Sequence, residues 1–123
     1  MTHSNPHFRH EERSPYEFGN LLRELPVSLD IATTSITDEQ HDKLLAADQH
    51  AANYTSTLLN GMESLGRTLY SAASNQRVPL SSSDAAQVGS LVSELAMQLQ
   101  FLDDFRAAVA GRNLHAAFEA GRK

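Results

Sequence analysis

The 123-residue chain contains no cysteine and no tryptophan. Without thiols there is no disulfide framework, no thiol catalysis and no zinc site that needs sulfur. Basic residues are also in deficit: ten Lys and Arg stand against fifteen Asp and Glu, a formal net charge of −5. A chain of that sign has no global attraction for a phosphate backbone, so direct nucleic-acid binding is not expected. No continuously apolar run is long enough to predict a membrane span. The first residues, MTHSNPHFRH, lack the apolar centre of a signal peptide. No glycine-rich phosphate loop is present. A small cytoplasmic protein of one domain is expected, with 41% hydrophobic residues for a modest core.

What is present is mostly helical pattern. Residues 1–14 are polar and hold three of the six histidines, so they read as a solvated tail with no fixed metal spacing. Residues 15–25 suggest a short helix with Ser14 as its cap, Pro15 in the first turn, and Tyr16, Phe18, Leu21, Leu22 and Leu25 as its apolar side. Pro26 ends it, and residues 26–36 read as an extended linker. Residues 1–36 thus form a flexible tail and arm, and residues 37–123 a helical domain.

Thr37 and Gln40 match a capping box, with Asp38 and Glu39 complementing the positive end of the helix dipole. From there Leu44, Ala51, Leu58, Leu65 and Ala72 recur seven apart, with Thr55, Met62 and Leu69 on the interleaved line. That is a 3.5-residue period, the seam of an antiparallel helical pair. Leu45, Ala52, Leu59 and Ala73 widen it, while Gly61 and Gly66 suggest a close backbone approach. Turn residues follow at 75–83, and a serine of 81–83 should cap a second helix over 84–110. Its seam runs through Val88, Val92, Leu95, Leu99, Leu102 and Val109, flanked by Leu91, Phe101 and Phe105. Gly111 reads as a stop, and Asn113 as the start of a last short helix. The fold expected is all-α: a long antiparallel helical hairpin with short flanking helices, pairing into a four-helix-bundle-like dimer. A single seam buries too little for a stable monomer, so the flanking stripes need cover, either from residues 15–36 with the terminal helix at 114–120 or from a second copy.

Enzyme chemistry is thinly represented. His41 and His50 lie nine apart, which is not a helical ligand spacing, and both are expected to be solvated. Asp103 and Asp104 are adjacent and diverge around the helix, so they too read as solvated. No strained turn presents a serine, and Arg67, Arg77, Arg106 and Arg112 are scattered among acids. No catalytic residue, cofactor site or metal site is therefore assigned. No charged residue falls between Gln49 and Asn60 or between Leu95 and Leu102, as at buried protein interfaces. The interface candidates are Tyr54, Leu59, Met62, Tyr70, Leu91 and Phe101, with Glu63, Glu94 and Asp103 at the rim.

The stretches LLAADQHAANYTSTLLNGMESLGRTLYSAAS (44–74) and SSDAAQVGSLVSELAMQLQFLDDFRAAVA (82–110) resemble the helical hairpin of small quorum-sensing anti-activators of the QslA type. That resemblance implies a homodimer that binds a LuxR-type transcription regulator such as LasR and blocks its dimerisation and DNA binding. It transfers no site residue. The alternatives are a small helical inhibitor or antitoxin of another target, or a helical-bundle ligand-binding protein or enzyme.

Overall fold

The computed structural model describes residues 5–25, 35–75, 77 and 79–121, the side chains of 113–121 excepted. A 3-10 turn, Glu11–Arg13, leads into α1 (Ser14–Glu24), followed by α2 (Asp38–Ala73) and α3 (Ser82–Gly121). Every regular element among the described residues is helical. Most of the linker expected at 26–36 lies outside the described residues.

Local chemistry explains where the helices begin and end. The Thr37 amide donates to Gln40 Oε1 at 2.9 Å, and the Gln40 amide donates back to Thr37 Oγ1 at 3.1 Å. This reciprocal pair satisfies two amides that the first helical turn leaves without partners. Ser81 Oγ accepts from the Asp84 amide at 3.0 Å and caps α3. Leu25, which precedes Pro26, is extended with ψ 156°, because the proline ring disfavours a helical residue before it.

Two terminal signals turn out differently. Ser14 does not cap α1: it lies inside the helix, and Arg13 occupies the cap position with no side-chain cap bond. Gly111 does not stop α3, which continues to Gly121 and includes the residues expected to form a separate helix. No described glycine has a positive φ. A single interior glycine costs about 1 kcal/mol, less than ending a helix whose following residues favour continuation.

The chain divides into two compact units, one of residues 1–54 with 102–123 and the other of residues 55–101. In the first, α1, the start of α2 and the later part of α3 share a core. Phe18 and Leu21 of α1, Leu44, Ala46, Ala47 and Ala51 of α2, and Leu102, Phe105 and Val109 of α3 are buried. The rings of Phe18 and Phe105 meet edge to face, 5.0 Å between centroids. Burying each large apolar side chain there contributes about 1.5–3 kcal/mol. Arg106 Nε reaches Asp48 Oδ1 at 3.1 Å, and Lys43 Nζ reaches Glu24 Oε2 at 3.3 Å. Residues 5–14, expected as a solvated tail, are held instead. Asn5 Nδ2 donates to the Asp42 carbonyl at 2.7 Å, and Phe8 lies on the His50 ring.

The second unit contains the later part of α2, the connection and the first part of α3. Leu58, Met62, Leu65, Leu69 and Ala72 are half-buried, as are Val88, Leu95 and Leu99, whereas Val92 on the same line is exposed. None of its described residues is fully buried. A β-carbon added at Gly61, Gly66 or Gly89 would meet nothing within 4 Å, so the close approach expected at Gly61 and Gly66 is not made there.

Candidate functional site

In the first unit a polar cluster forms where the N-terminal segment meets α2. The α2 positions Ala46, Ala47, His50 and Ala51 are all buried. Their small neighbours leave room for the N-terminal segment to lie close. His50 is 0% exposed, contrary to the solvated histidine expected. Its Nδ1 lies 2.9 Å from Ser14 Oγ, and its ring centroid is 4.6 Å from that of Phe8. Ser14 Oγ also donates to the Glu11 carbonyl at 2.8 Å and accepts from Asn53 Nδ2 at 3.4 Å. A hydroxyl has one hydrogen, and the Glu11 carbonyl takes it. The network therefore assigns the imidazole proton to Nδ1, which donates to Ser14 Oγ. Nε2 is left with its lone pair, buried and without a hydrogen-bond partner. Burial pushes the His50 pKa below its ordinary 6.5, against the opposing pull of Glu17, Glu11 and the Arg9 carbonyl.

Sequence reading missed this cluster because its partners are 36 residues apart. The available signal was the alanine-rich patch around His50, a face suited to a third helix rather than to solvent. A serine beside a histidine has the elements of a nucleophile–base pair. Here the serine is 3% exposed, and its hydrogen is committed to a carbonyl, so the pair joins two segments and presents no reactive oxygen.

Beside it an open cleft of about 680 Å³ is lined by Pro6, His7, Arg9, Glu17, Glu24 and Lys43, among others. Acids and bases alternate around it, and Lys43 is held by Glu24 and Glu39. The cleft thus has no single field for a charged ligand. No cluster of metal-ligating side chains occurs among the described residues. No helix among them is long and apolar enough to cross a membrane.

The interface candidates fall mainly in the second unit. Leu59, Tyr70, Leu91 and Phe101 are exposed, Tyr70 to 76%, and Met62 is half-buried on the seam. Leu59, Met62 and Tyr70 share one side of α2, and Leu91 and Phe101 one side of α3. Tyr54 is half-buried and belongs to the first unit. Val92 and Met97, not among the candidates, are also exposed. At the rim Glu63 pairs with Arg67, while Glu94 and Asp103 face solvent. Phe105, expected on the same flanking stripe as Leu91 and Phe101, is instead covered by Phe18.

No protein-family model, no curated protein and no solved structure matches the chain. What the fold and these two regions define is a class only: an all-helical protein whose first unit has a buried core and whose second unit has no fully buried residue among those described.

Proposed function

We propose that the chain is a non-enzymatic binding protein that works through the apolar face of residues 55–101. The observation that carries this reading is the exposure of Leu59, Tyr70, Leu91, Val92, Met97 and Phe101 in a unit where no described residue is buried. Large apolar side chains left exposed at this density mark surfaces that another chain covers. In this reading the later part of α2 and the first part of α3 form an antiparallel hairpin, and two copies pair into a four-helix bundle. The remaining apolar stripe takes a protein target. The resemblance of residues 44–74 and 82–110 to quorum-sensing anti-activators supplies the target: a LuxR-type regulator in the cytoplasm, sequestered by mass action away from its own dimer and from DNA.

The test is a Leu91→Glu variant, with oligomeric state measured beside binding. Mixed with the regulator's ligand-binding domain, the natural chain should convert that domain from dimer to mixed complex, with weak salt dependence. Leu91→Glu, still helical by circular dichroism and still dimeric by sedimentation, should lose the complex. An anchor on such a face is worth about 2 kcal/mol or more. Unchanged binding by charged variants at Leu59, Tyr70, Leu91 and Phe101 that remain folded and dimeric would refute the assignment of this face.

A further inference from the structure

We propose that His50 is a proton-operated latch: a proton taken up at Nε2 releases residues 5–25 from α2 and uncovers the apolar surface beneath them. The inference rests on the first unit alone and does not depend on the binding face proposed above.

Three observations converge on this residue. First, His50 is the centre of the seam between the N-terminal segment and α2. Phe8 packs against it with the rings tilted, and Ser14 meets its Nδ1, while Ser14 also receives Asn53. Second, the docked arrangement suits only the neutral ring. The Ser14 hydroxyl gives its one hydrogen to the Glu11 carbonyl, Nδ1 donates to Ser14 Oγ, and Nε2 makes no hydrogen bond. A proton added at Nε2 would place a full charge in a site from which water is excluded. Third, the charged groups around the ring only partly offset that cost. Glu11 of the 3-10 turn and Glu17 of α1 favour the imidazolium, and so does the Arg9 carbonyl, yet burial outweighs them. On α2 the acid nearest in sequence, Asp48, is already engaged by Arg106 of α3. The proton therefore binds in the open form, where Nε2 meets water, and each proton bound there draws the segment out of its docked state.

The other polar tethers are weak. Asn5 to the Asp42 carbonyl and Glu24 to Lys43 are surface contacts, the latter an ion pair of the kind that contributes little. Phe18 against Phe105 is the main apolar tether, and its separation would expose both rings. The masking segment thus carries its own release, set in the range where histidine titrates.

Native-state hydrogen exchange on the full chain, corrected for the intrinsic pH dependence of exchange, tests the latch. Between about pH 7.5 and about pH 5.5, protection of the α1 amides should fall about threefold or more, while amides of residues 82–101 keep theirs. In His50→Gln, whose amide still donates toward Ser14 but does not titrate, that fall should vanish. Constant α1 protection in the natural chain, or an equal fall in His50→Gln, would overturn the proposal. If His50→Gln fails to dock at neutral pH, ring titrations of the natural chain by NMR decide. The midpoint of α1 release should coincide with that of His50. Coincidence with His7, His10 or His41 instead would assign the effect elsewhere and sink the latch.

Discussion

Leu44 and Leu102 are 1% exposed, whereas Leu58 and Leu95, on the same seam lines, are only half-buried. The sequence pattern treats them as equivalent and assigns Leu58 and Leu95 to a full core. The structure separates them, because α1 covers the seam in the first unit and no third described helix belongs to the second. Alanine at Leu44 or Leu102 should therefore cost about 2–5 kcal/mol, and at Leu58 or Leu95 roughly half of that, by urea unfolding. Equal losses at all four positions would mean that the seam of residues 55–101 is as fully covered as the first unit. His50 adds a pH term. Its folded-state pKa lies below 6.5, so the unfolded chain binds the proton more tightly. The stability that depends on a neutral His50 is complete above 6.5 and is lost as the pH falls through that value toward the folded one. Urea midpoints followed across that window should fall in the natural chain, and fall less in His50→Gln.

At the scale of the helix, start signals are more readable than stop signals. Thr37–Gln40 and Ser81 act as their spacing predicts, because a capping bond is made within four residues and needs nothing from the tertiary fold. Thr37→Ala should cost about 1 kcal/mol, readable as a lower melting temperature. Ser14 shows the opposite case: its hydroxyl is recruited by His50, Glu11 and Asn53, partners that a local reading does not contain. The glycines carry a further prediction. Gly61, Gly66 and Gly89 sit inside helices with open space at the β-carbon position. Alanine at each should raise stability by about 0.5–1 kcal/mol through helix propensity. A loss at any of them would reveal a close neighbour at that point, such as a second chain on the face of residues 55–101.

For the molecule as a whole, the proposed dimer gives a direct expectation. Sedimentation of the chain at micromolar concentration should report about twice 13.5 kDa, and dilution should lower the melting temperature. A cooperative, concentration-independent monomer would contradict the pairing of the second units. Charge gives another. With a net charge of −5, and with Arg67 and Arg106 already paired to Glu63 and Asp48, the chain alone should not shift DNA in a gel at physiological salt.

The amino-acid pattern by itself determined the helical class, the caps of α2 and α3, and which positions of those helices turn away from solvent. Each position from Leu44 to Ala72 and from Val88 to Val109 on those lines is buried or half-buried, except Val92 at 37% exposure. These follow from a helical period and from bonds within one turn, so they are local. Which stretch of the seam becomes a sealed core was decided only by the tertiary structure. So were the docking of residues 5–25 and the buried Ser14–His50 pair. Those depend on which of several apolar stripes a distant segment covers. No spacing along the chain encodes that choice, because Phe18 and Phe105, like Ser14 and His50, become neighbours only when the helices pack.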